Sequence, residues 1–157
     1  MIECLLILSK IGVLRLIKIY TEENQDKQIN KQQLIKNVLS AIYNSKGTQI
    51  IYDFDYYENM KRKIAFRTFQ GIIIAMIADE AENELAILDY INVMMKVFDE
   101  AFNGITEAFI INNPEKIYLI IDEMISGGFV IETNKEEIIN NYMDKIKDDE
   151  NYKYFSK

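Results

Sequence analysis

With 157 residues, 49% of them hydrophobic, the chain has material for one ordinary core and not for two full domains. A formal net charge of −7 argues against a broad electrostatic grip on nucleic acid or anionic lipid. Histidine is absent and Cys4 is the only thiol, which removes imidazole triads and metal sites, disulfide frameworks and thiolate zinc sites.

The run Ile2 to Leu8 is almost continuously apolar, as expected of a central strand covered on both faces. It is short, carries Glu3 and lacks both a basic leader and a small-residue cleavage site, so it reads as core and not as a signal peptide. No stretch approaches the length of a membrane span. Cys4 lies in this run, where apolar surroundings raise a thiol's pKa and make it a poor nucleophile. Ser9-Lys10-Ile11-Gly12 reads as a tight turn, and Val13 to Tyr20 returns as a strand in which Arg15 and Lys18 interrupt apolar residues. After a polar stretch from Thr21 to Asn30, Leu34, Ile35, Val38, Leu39 and Ile42 recur at helical spacing until Gly47.

Ile50-Ile51-Tyr52 reads as a strand, with an irregular connection through Phe54, Tyr56 and Tyr57. Ile64, Phe66 and the stretch to Phe69 alternate, and Gln70-Gly71 turns the chain into Ile72 to Ile77. From Asn83 the period changes: Leu85, Leu88, Ile91, Met95, Phe98 and Phe102 make one helical stripe. Asn113-Pro114 supplies a cap with Pro at the first helical position, and the pattern from Ile117 to Met124 ends at Gly127-Gly128. Phe129-Val130-Ile131 is a brief extended piece, and Thr133 with Glu136 fits a capping box opening a last helix through Ile146. The expected fold is α/β (α+β): one domain over residues 1–146 with a polar tail over 147–157, and a five-stranded, mainly antiparallel sheet that helices cover.

The carboxylate clusters Asp79-Glu80-Ala81-Glu82 and Asp148-Asp149-Glu150 lack the interleaved glycine and alternating ligands of a calcium loop and read as solvated or helix-end charge. Gly127-Gly128 is a pair, not a phosphate-cradling loop. No catalytic residue, metal or cofactor is assigned, and binding to other proteins is the expected role.

In that element order, particular words resemble the small, or sigma, subunits of the adaptor complexes that select cargo for vesicle coats. They are Met1-Ile2 leading to Gly12, Arg15-Leu16 and Tyr20; Asn83-Glu84-Leu85 with Ile87-Leu88-Asp89; Phe102; Glu107; Lys116; Asp122-Glu123-Met124; and Gly127-Gly128 with Val130, Glu132 and Thr133. The resemblance covers residues 1 to 140 or so. It implies a longin-type fold, no catalytic activity, and a heterotetramer with two large adaptin subunits and one medium subunit. It also implies a cytoplasmic protein, peripheral on Golgi, endosomal or coated-vesicle membranes. The extra residues between Ile50 and Lys63, and the words around Leu88 and Val130, look most like the sigma subunit of the third adaptor complex. The coatomer zeta subunit is similar in the same helical region, with a longer lead before its first strand. A free-standing longin regulator of trafficking is a further class, and a fusion protein of that kind would need a heptad coiled coil.

By resemblance, cytosolic tails of membrane cargo carrying an acidic dileucine signal meet a basic position at Arg15 and a pocket formed by Ile72, Met95, Ile105 and Ile110. A guanidinium can take a carboxylate with two parallel hydrogen bonds, while dry apolar walls take the leucines at roughly 1.5–3 kcal/mol per side chain. Read without the resemblance, Met95 on its stripe and Ile72 opening its strand are core residues, and Arg15 is a solvated strand charge. A polar Asn of the family is replaced by Gly104, which is expected to remove a hydrogen bond and loosen the helix end.

Overall fold

Eight consecutive buried residues form strand β1, Ile2–Ser9, and the alternation of a pleated strand sends them to two different cores. In this computed structural model, which describes residues 1–21, 30–57 and 60–155, Leu5 and Ile7 join one apolar cluster and Cys4, Leu6 and Leu8 the other. β1 pairs antiparallel with β2 (Leu14–Ile19) on one side and with β5 (Ile72–Ala78) on the other. β4 (Met60–Phe69) continues the sheet beyond β5, and β3 (Ile50–Tyr57) closes it, giving the order β2-β1-β5-β4-β3, antiparallel throughout.

One face is covered by helix α1, Lys31–Asn44, which buries Leu34 and Val38 and begins where the Asn30 side chain accepts from the Gln33 N–H. The other face carries α2 (Glu84–Phe102), α3 (Glu107–Asn112), α4 (Pro114–Met124) and α5 (Lys135–Phe155). α2 is capped by Asn83, whose side chain accepts from the Ala86 N–H. It buries Ile87, Leu88, Ile91, Met94, Met95, Val97 and Phe98, each worth roughly 1.5–3 kcal/mol relative to exposure. A short hairpin, β6 (Ile125–Ser126) with β7 (Phe129–Val130), links α4 to α5. It is tied to β1 by a 2.7 Å bond from the Ile2 N–H to the Gly128 carbonyl. A Cβ at Gly128 would lie 2.4 Å from the Ile2 carbonyl oxygen, so only glycine permits that approach.

Several local expectations are corrected. The irregular connection expected after Tyr52 is one strand to Tyr57, kinked where Asp53 sits at φ 53° and an extra residue is inserted between the pairs Ile51/Ile64 and Phe54/Arg62. The bulge breaks the alternation that a sequence reading relies on. α4 stops at Met124, and the glycine pair turns the β6–β7 hairpin instead of ending the helix. Asn134, not Thr133, caps α5 by accepting from the Glu137 N–H, while Glu132 accepts from the Thr133 and Asn134 N–H groups. α5 continues through the polar residues from Lys147 to Phe155. The polar stretch between Thr21 and Asn30 and the last two residues of the tail lie outside the described residues.

Candidate functional site

Arg15 owes its position to a bulge. Across β1 and β2 the pairs are Ile7 with Leu16 and Leu8 with Leu14, so Arg15 is the inserted residue. Leu14 packs on the α1 side of the sheet and Leu16 on the α2 side. The inserted Arg15 shares the side of Leu16, where it meets α3: its Nε donates to Oε1 of Glu107 at 2.8 Å, and its Nη2 lies 2.6 Å from the same oxygen. A regular ladder would have sent Arg15 to the opposite face. The two side chains keep 27% and 37% of their surface open, which puts the pair in the range of about 0–1 kcal/mol.

Lys18, which the sequence reading left unassigned, is held in the same way by Asp122 of α4. Partial burial lowers its pKa, and its ammonium lies 5.6 Å from the Tyr20 ring centroid. The Tyr118 hydroxyl donates to the Ile17 carbonyl at 3.1 Å. Both cations of edge strand β2 are therefore neutralised by acids on the helical layer.

The four apolar positions are brought together. Ile72, Met95, Ile105 and Ile110 belong to one packed cluster, Ile72 opening β5 opposite Ser9 and Phe69, and Ile105 linking α2 to α3. They are closed: Ile72, Ile105 and Ile110 are 0% exposed and Met95 6%. Met95 alone of the four lines a cleft of about 290 Å³ between β4 and α2, together with Arg67, Phe69, Asn92, Lys96 and Asp99. Nε of Arg67 is buried and has no hydrogen-bond partner among the described residues. A charged residue in the alternating strand Ile64 to Phe69 was the one sequence signal for it.

Gly104 does not fray the helix end. α2 finishes with Asn103 in the left-handed region at φ 54°, and the Gly104 N–H donates to the Asp99 carbonyl at 3.1 Å. At φ 100° Gly104 is the residue this closure favours. The short helix α3, which the sequence reading missed, begins where Thr106 accepts from the Phe109 N–H. It ends at Asn113, which is also the N-cap position of α4 but spends its side-chain amide on the Phe109 carbonyl of α3 and makes no side-chain bond to α4.

The remaining polar groups form structural pairs. Glu3, itself inserted between the pairs Ile2/Ala78 and Cys4/Ile77, accepts from Nε of Arg62 at 2.7 Å. The Met1 amine lies 2.8 Å from Asp79 and 3.1 Å from Glu82. Burial raises the Asp79 carboxyl, but its bond to that amine, the amine's charge and the backbone N–H groups of Glu82 and Ala81 together outweigh burial and leave it below the usual carboxylate range. Burial pushes the Cys4 thiol up to about 12. Among the described residues, no group of three or more Cys, Asp or Glu side chains is placed to hold a metal, and no helix is long and apolar enough to cross a membrane.

A five-stranded antiparallel sheet with one helix on one face and a helical layer on the other defines a longin-like α/β domain. Residues 1–149 match the family described as clathrin adaptor complex small chain, and the chain belongs to that family. It is 32% identical over 148 residues to the AP-3 complex subunit sigma of Dictyostelium discoideum, covering 90% of this chain and 84% of the relative. The corresponding figures for the Schizosaccharomyces pombe AP-3 sigma subunit are 32% over 150 residues, 94% and 89%. Human AP-4 sigma-1 is also similar, at 31% over 140 residues, 88% and 92%. Its fold superposes on a chain of a homology model of the full-length AP-3 complex in a stretched open conformation, with TM-score 0.70, 27% identity and 98% of both chains covered.

Proposed function

We propose that this chain is a sigma-type subunit that acts by binding, without catalysis, in a heterotetramer with two large adaptins and one medium subunit. In that assembly it stabilises the core and contributes to recognition of acidic dileucine signals on the cytosolic tails of membrane cargo. The complex is peripheral on Golgi, endosomal or coated-vesicle membranes, and the AP-3 type is favoured by the relatives named above. Apolar side chains left open on the chain, among them Leu85, Phe129 and Ile131, suit burial against partner subunits.

The observation that carries the cargo reading is the bulge that aims Arg15 at α3, the helix bearing Ile110, so that a cation stands beside the cluster of Ile72, Met95 and Ile105. In such a site leucine burial supplies most of the affinity, and Arg15 fixes register through the upstream acidic residue. Native mass spectrometry of the complex purified through this chain is expected to return two large adaptins and one medium subunit. Recovery with coatomer subunits alone would overturn the adaptor assignment. Peptide binding to the same complex tests the cargo role.

A further inference from the structure

The proposed recognition needs a cation at Arg15, and that cation is already engaged. Nε and Nη2 of Arg15 converge on a single oxygen, Oε1 of Glu107, at 2.8 and 2.6 Å. This is short of the fork-to-fork arrangement in which each carboxylate oxygen takes its own N–H. A carboxylate delivered by an incoming segment can reach the better arrangement, and it competes with Glu107 for the same guanidinium. Glu107, already 37% exposed, has water available when displaced.

The competitor does not stand alone. It opens α3, whose Ile110 is fully buried, and Ile105, two residues before Glu107, is fully buried too. α3 spans six residues and is bounded by Gly104 at φ 100° and by Asn113, which serves as the C-cap of α3 and the N-cap of α4. One short segment, Ile105 to Ile110, therefore bears both the acid on Arg15 and two of the side chains that close the apolar cluster.

We propose that Glu107 is an internal stand-in for the acidic residue of the peptide, and that by holding Arg15 it sets how strongly the site prefers acidic over neutral segments. This deepens the dileucine reading and rests on it. Neutral segments gain nothing from displacing Glu107, whereas acidic ones replace one carboxylate by another. Weakening the internal ligand raises the preference, a sign opposite to that expected of a strut whose loss damages the site.

The test uses the purified assembled complex and two peptides, one with an upstream Glu before two consecutive leucines and one with Gln in its place. The readout is the ratio of their dissociation constants. In Glu107→Gln the preference for the acidic peptide is expected to rise about three- to fivefold, the span of an exposed ion pair. In the Arg15→Gln background the same substitution should leave the ratio where Arg15→Gln alone puts it, because the competed cation is gone. Glu107→Asp, which keeps the charge on a shorter stem, should raise the ratio part-way and serves if the glutamine variant does not assemble. A ratio at or below that of the unsubstituted complex, in a variant that assembles, overturns the role of Glu107 while leaving the dileucine reading standing. If the unsubstituted complex binds neither peptide at millimolar concentration, the dileucine reading falls and this inference falls with it.

Discussion

Two Arg–Glu pairs in this chain share a geometry and differ in surroundings. Each joins a residue inserted by a β-bulge to a partner on another element: Glu3 in β1 to Arg62 in β4 at 2.7 Å, Arg15 in β2 to Glu107 in α3 at 2.6 Å. The side chains of the first pair are 6% and 19% exposed, those of the second 27% and 37%. Distance alone therefore does not decide what an ion pair does. An ion deprived of its partner is stranded in the first setting and hydrated in the second, so the first pair is fixed and the second can exchange.

The largest effect is expected where stranding is worst. Arg62→Met keeps most of the stem but leaves the Glu3 carboxylate enclosed, with the Tyr56 phenol, itself raised by burial, nearby. Thermal or denaturant unfolding should show a loss of about 3–5 kcal/mol. Adding Glu3→Leu should recover most of it, since replacing both ions of a buried pair by apolar groups is often neutral. A loss no greater than that of Arg15→Ser would break the comparison, because burial would then not separate the two pairs.

Asp79, 30% exposed, is as open as the second pair, but it accepts from the Glu82 N–H as well as holding the Met1 amine. Asp79→Asn is expected to cost about 1.5–3 kcal/mol at neutral pH, the range of a hydrogen bond to a charged group. Because the folded carboxyl lies below the ordinary aspartate value of 3.8, its contribution is full above that value and is lost as pH falls through the folded pKa. Unfolding free energies of the two proteins should converge on the acid side. A gap that stays constant down to acid-induced unfolding would show that the amine–carboxylate bond is not its source.

The contrast also explains what the sequence could and could not reveal. β1, β5 and α2 were legible because their apolar runs and stripe are nearly continuous, and β2 as the return after the turn at Ser9 to Gly12; the four isoleucine and methionine positions do converge in one cluster. Asp53, Glu3 and Arg15 each sit at an inserted residue or kink. A bulge is set by cross-strand pairing, which has no period to read along one strand. Hence the partner of Arg15, the full length of β3 and the pairing of Glu3 with Arg62 needed the fold. The six-residue α3 is too short for a helical stripe and was missed, its Thr106 cap being the one signal that could have found it.

The smallest stability effect and the sharpest test of the contrast fall on Arg15→Ser. The substitution frees Glu107 toward water and removes a stem that packs only in part, so folding stability should drop by less than about 1 kcal/mol, and less still at high salt. In the assembled complex, binding of the acidic peptide should nevertheless weaken more than binding of its Gln counterpart, because only the former uses the guanidinium. Equal weakening of both would sink the anion-reading role. A stability loss near that of Arg62→Met would instead make Arg15 a second fixed strut, tied to Glu107 too tightly to be handed to a ligand.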